Sequence, residues 1–166
     1  MGEYSIPLQI IKHRGFFDHE KLIQTLQGWF PENGYDPAVD LKQKPSMLRL
    51  GHDFLYKIKG NKKVTDYIKF YVEVSLKEYN VQGVELIQDG KKIKTSEAEI
   101  LIEVSAKQEA DWQKKFAGKG EFIKWLGEIL EKRILKYRIN DYYEDKLIAE
   151  VLGLCGLLRD TMGQEV

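Results

Sequence analysis

The chain has 166 residues, 43% of them apolar and 31% charged, with 26 basic residues against 26 acidic ones. That is enough for one domain with a substantial core, and too apolar for a disordered chain. The charge balance excludes a global attraction to nucleic acid or anionic lipid, and the single Cys155 excludes an internal disulfide or a cysteine-based zinc site.

In chain order, Tyr4 to His13 reads as a strand, with Pro7 marking an edge or an irregular start and Arg14-Gly15 a break. Asp18 is placed to cap a helix in which Leu22, Ile23, Leu26 and Trp29 recur at helical spacing. Pro31 and the run Glu32-Asn33-Gly34-Tyr35-Asp36-Pro37 stop it. Residues 38 to 46 are weakly patterned, a short strand or a loop. Leu48, Leu50, Phe54, Tyr56 and Ile58 share one parity, which predicts a strand interrupted at Gly51-His52 and reversed at Gly60-Asn61-Lys62-Lys63.

Val64 to Lys77 alternates most clearly. Ile68, Phe70, Val72, Val74 and Leu76 fall on one side, and Lys69, Tyr71, Glu73, Ser75 and Lys77 on the other, so one face meets a core and one meets water. Val81 to Gln88 is a further strand, closed by the hairpin dipeptide Asp89-Gly90, with Lys91 to Lys94 as a short return arm. Ala98, Ile100, Ile102, Val104 and Ala106 alternate again. From Lys107 the period turns helical, with Trp112 and Phe116 four apart and Phe122 to Tyr137 forming one amphipathic face. The last helix, about Tyr142 to Arg159, is apolar nearly all round in its second half, which implies burial on several sides.

Strands grouped together with helices at the end specify an α+β domain over residues 1–166. The expected form is a curved antiparallel meander packed against the apolar C-terminal helix, an order of elements that resembles the helix-grip arrangement. The longest apolar run, Leu147 to Leu158, is broken by Glu150 and is too short for a bilayer span, and no signal-peptide pattern opens the chain. The expected location is the cytoplasm, with no membrane association.

No catalytic set, metal site or cofactor is expected. His13, His19 and His52 lie in three elements without metal-ligand spacing, and Asp18 and Glu20 complement a helix start. There is no Gly-x-Ser-x-Gly elbow, and Cys155 has no adjacent basic residue. Binding readings have more material. Either Trp29 and Phe30 close the first helix and cover the core's edge, or Trp29, Tyr35 and Asp36 rim a pocket beside the sheet. Between Gln43 and Phe70, Lys44, Arg49, Lys57, Lys59, Lys62, Lys63 and Lys69 outnumber Asp53 and Asp66, and Tyr71 shares the outward parity of Lys69. Such a face could meet nucleic acid by backbone pairing and stacking, but Glu73, Glu99 and Glu103 beside it favour plain solvent.

Two strings, Gly28-Trp29-Phe30-Pro31-Glu32-Asn33-Gly34-Tyr35-Asp36-Pro37 and Lys63-Val64-Thr65-Asp66-Tyr67-Ile68-Lys69-Phe70, are distinctive together. With the strand after Asp89-Gly90-Lys91-Lys92 and the aromatic C-terminal helices, the stretch from Phe16 to Leu154 resembles a group of small uncharacterised archaeal proteins. The resemblance implies a lineage and no activity. Charge rich in Lys and Glu, with Ile and Tyr, is compatible with a heat-adapted cytoplasm.

The first expectation is therefore a non-enzymatic binding or adaptor domain. It would hold an apolar small molecule or a protein partner between sheet and C-terminal helix, and Lys69 and Tyr71 are the outward residues to meet a partner. The alternatives are a nucleic-acid-associated protein using Arg49, Lys57, Lys59 and Lys69, or an enzyme with a site dispersed around Tyr35, Asp36 and His52. The apolar C-terminal helix also makes a homodimer an expectation.

Overall fold

The computed structural model describes residues 3–45, 51–110, 113, 120–129 and 141–163. Its elements are β1 (Glu3–Ser5), β2 (Gln9–Phe17), α1 (His19–Glu32), β3 (Asp36–Pro45), β4 (His52–Lys63), β5 (Ile68–Gln88), β6 (Lys91–Ala110), α2 (Gly120–Ile129) and α3 (Asp141–Thr161). All the pairings are antiparallel, in the order β1-β6-β5-β4-β3, and β2 follows β1 along the same edge of β6. The fold is α+β, with one sheet carrying α1 and α3 on one face.

The alternation of β5 sets the layers. Ile68, Phe70, Val72, Val74 and Leu76 are buried, as are Ile100, Ile102 and Val104 of β6 and Tyr56 and Ile58 of β4. Leu22, Leu26 and Phe30 of α1, with Leu147, Val151, Leu154 and Leu158 of α3, complete one continuous core. Each such side chain contributes on the order of 1.5–3 kcal/mol on burial. Cys155 belongs to this core, and burial pushes its thiol pKa up. The last helix buries one face only: Leu152 and Leu157 are exposed, so the all-round burial read from its sequence is corrected.

Helix α1 starts where Asp18 accepts a hydrogen bond from the Lys21 N–H at 3.1 Å. Pro31 lies within its last turn rather than stopping it. The end comes at Gly34, whose φ of +82° permits a Schellman closure: Tyr35 N–H donates to Phe30 O at 2.8 Å and Gly34 N–H to Pro31 O at 3.1 Å. The rings of Phe30 and Tyr35 then meet edge to face at 5.9 Å, the apolar contact typical of that motif.

Several boundaries differ from the expectations. Residues 36–45 form a full edge strand, a position that tolerates Pro37 and Pro45 because their missing N–H groups are not needed inward. β4 runs through Gly60 to Lys63, and the reversal is made by residues 64–67, where Thr65 Oγ1 accepts from the N–H groups of Tyr67 (3.1 Å) and Ile68 (2.9 Å). Gly60 is a packing glycine: a Cβ there would lie 2.3 Å from Phe30 Cδ1. β2 continues through Gly15 to Phe17. The two strands expected over 64–77 and 81–88 are one strand, β5, whose register shifts between Tyr79 and Gln82. Asn80, at φ +56°, makes that bulge; its N–H donates to Asp53 Oδ1 and its Oδ1 accepts from the Gly51 N–H, both at 3.0 Å.

β6 is likewise continuous from Lys91, and no helix begins at Lys107: residues 107–110 stay in the sheet, with Gln108 and Ala110 buried. The expected features at Leu48, Arg49, Leu50, Trp112, Phe116 and residues 130–137 lie outside the described residues. β4 pairs with β5 only as far as Val81, and β2 with β6 only as far as Ser96. Beyond them, among the described residues, the β5–β6 hairpin continues as a two-stranded ribbon to its Asp89-Gly90 turn, both residues at positive φ.

Candidate functional site

The sheet face opposite the helices carries the outward residues of β2 to β6. Its cross-strand rows follow from the register, for example Asp36, Asn61, Tyr71, Lys107 and Ser5 in one and Ala38, Lys59, Glu73 and Ser105 in the next. These rows border a depression of about 510 Å³. Toward the other end, a depression of about 700 Å³ lies over Lys42, Asp53, Leu55 and Lys77, and one of about 460 Å³ over Lys12, Arg14, Glu99 and Leu101. Tyr79 of β5 borders both. Among the described residues, none of α1, α2 or α3 lines any of these hollows.

The charges on this face are interleaved. Lys59 stands 3.6 Å from Glu73, Lys77 3.9 Å from Glu103, Arg14 3.5 Å from Glu99 and Lys107 3.6 Å from Glu3. Tyr71 donates to Glu109 at 2.7 Å, and the ammonium groups of Lys69 and Lys107 sit 5.1 and 5.0 Å from its ring centre. Desolvation, then the bond to Glu109, pushes its hydroxyl pKa up to about 12. No family model and no curated protein matches this chain.

The structure separates the residues singled out from the sequence. Asp36 and Tyr71 share the 510 Å³ hollow, and Lys69 adjoins Tyr71. Trp29 and Tyr35 lie on the other side of the sheet, buried and stacked at 5.3 Å. Tyr35 and Asp36 part because adjacent strand residues point to opposite faces. Tyr35 is tied into a clamp instead: its hydroxyl donates to Glu150 at 2.6 Å, and Lys62 Nζ reaches Glu150 at 2.8 Å and Asn33 O at 3.0 Å. Burial, reinforced by Glu150, pushes the Tyr35 pKa far up. Asp36 pairs with Asn61 and His52 with Pro45, at opposite ends of one ladder; at strand rise that is on the order of 30 Å, too far for one catalytic centre.

One pairing was missed. His19 Nδ1 lies 2.7 Å from Glu78 Oε2, with Glu78 fully buried and its Oε1 without a hydrogen-bond partner. The rings of Phe54 (4.7 Å) and Phe17 (6.2 Å) flank the imidazole edge to face. The hydrogen bond to Glu78 raises the His19 pKa, against desolvation. The available signal was a carboxylate at the inward parity of β5, directly after Leu76. Among the described residues no group of three His, Cys, Asp or Glu side chains could hold a metal ion, and no helix is long and apolar enough to cross a membrane.

Proposed function

We propose that this chain is a non-enzymatic binding domain that engages a protein partner through the open face of its sheet. The space between sheet and α3, where the sequence pointed, is filled by Leu147, Val151, Leu154 and Leu158 against Phe70, Val72 and Ile102. The surface left open to a partner is the opposite face of the sheet. One observation carries it: that face combines hollows of about 510 and 700 Å³ with exposed Tyr79, Ile10 and Phe16 among alternating charges. Aromatic anchors with a mixed polar surround are the composition of a protein interface. A polyanion would want unpaired cations, whereas Lys59 and Lys77 each face a glutamate.

The test is selection of displayed peptides against the folded protein, with binding mapped by amide chemical shifts. Perturbations over Lys57–Lys59, Tyr71–Lys77 and Glu99–Glu103 are expected; perturbations confined to α1 and α3 would overturn the reading. The proposal extends to a cytoplasmic, heat-adapted setting. A thermal midpoint in the mesophile range of about 45–65 °C would count against the heat adaptation.

A further inference from the structure

We infer that the partner of the open sheet face is a second copy of this chain, joined face to face about a two-fold axis; this rests on the binding reading above. Shape points there first. Antiparallel sheets carry a common right-handed twist, and one such sheet packs on another about 10 Å away with strands roughly 30° apart. This chain supplies such a sheet with one face free of any described helix. The area is sufficient. Five strand positions at about 4.8 Å and a dozen residues at about 3.3 Å give on the order of 900 Å² per copy, near the ~800 Å² of a standard interface.

The surface is also self-complementary in relief and charge. Tyr79, 44% exposed, borders a hollow of about 700 Å³ toward β4 and one of about 460 Å³ toward β6 and β2. A projecting ring beside hollows large enough to take one lets each copy serve as both knob and hole, which an isologous interface requires. Ile10 and Phe16, 50% and 48% exposed, extend the apolar surface along β2. Lys12, Arg14 and Lys77 alternate with Asp53, Glu99 and Glu103, so two copies present both signs to each other. A chain with 26 positive and 26 negative side chains adds no long-range repulsion to the encounter.

Sedimentation equilibrium of the intact protein from about 1 to 100 μM, spanning the usual range of specific dimers, tests this. The wild type should sediment as a dimer. Leu101→Glu should be monomeric with an unchanged circular dichroism spectrum, and Tyr79→Ala should weaken association at least about tenfold, the cost of a good interface anchor. Leu152→Glu, on the exposed side of α3, should remain dimeric. As a measurement independent of any variant, acetylation of Lys77 and Lys12 should slow as concentration rises, while that of Lys21 should not. A monomeric wild type over the whole range overturns the inference, and leaves the wider binding reading to its peptide mapping. Dissociation by Leu152→Glu but not by Leu101→Glu also overturns it, and assigns the contact to α3.

Discussion

Gly60 and Glu78 illustrate how single side chains hold the inner layer together. A methyl group at position 60 would collide with a fully buried aromatic ring 2.3 Å away, so Gly60→Ala should destabilise by about 2–3 kcal/mol. Urea unfolding checks this, and combining it with Phe30→Leu should cost less than the sum of the two single changes. The His19–Glu78 contact predicts a pH dependence. A histidine whose folded pKa lies above its unfolded value stabilises fully below the unfolded value, about 6.5, and loses that contribution as pH rises through the folded one. The groups facing it are Glu78 from β5 and Asp18 and Glu20 from its own helix, with Phe17 and Phe54 as apolar walls. The urea midpoint should therefore fall as pH rises above about 6.5, and His19→Gln should flatten that slope. An unchanged slope in the variant would remove His19 as its origin. Glu78 was readable as an oddity, a charge at a core position of an otherwise clean alternation. Its partner was not, because a contact across 59 residues leaves no local pattern.

Between elements, Tyr35–Glu150–Lys62 is a polar joint that ties the end of α1 and β4 to α3. Removing Glu150 strands the ammonium of Lys62 at a site only 16% exposed. Glu150→Leu should thus cost about 2–4 kcal/mol, while Tyr35→Phe loses a single hydrogen bond and should cost about 1–2 kcal/mol. Chemical denaturation of both variants and of Lys62→Met measures the coupling. Element types in the sheet were largely legible from period-two patterns, but element joints were not. Strand alternation survives a bulge of the kind Asn80 makes, so one bent strand read as two. The turn placed at Gly60 failed because glycine there answers to Phe30, while Thr65 supplies the hydrogen bonds of the real reversal. The strand at 36–45 was faint because, in an edge position, Val39 and Leu41 stay half exposed and the hydrophobic contrast drops.

For the molecule as a whole, the grouping of strands before helices was enough to specify an α+β arrangement with α3 against the meander. The interaction face was less legible. Lysines on the first hairpin stood out along the chain, yet Lys59 faces Glu73 across the β4–β5 ladder, and Lys77 and Lys107 likewise face Glu103 and Glu3 on neighbouring strands, visible only once the register is known. Those ion pairs are exposed and worth little to stability, so stability should change by less than about 1 kcal/mol between low salt and 0.5 M. Oligonucleotide binding at low salt should be absent in a gel-shift or anisotropy assay; tight, strongly salt-dependent binding would restore the nucleic-acid alternative.

The ribbon beyond Val81 and Ser96 has a consequence of a different kind. Two strands with no third neighbour among the described residues hold together only marginally in water, so this arm should breathe on its own while the rest stays closed. Amides of residues 84–95 should exchange with deuterium orders of magnitude faster than those of Val72 to Leu76. Limited proteolysis should cut first near Asp89-Gly90, leaving a nicked protein that still melts as one unit. The arm is in effect a built-in insertion point, where a tag or a foreign loop can be spliced without cost to the core.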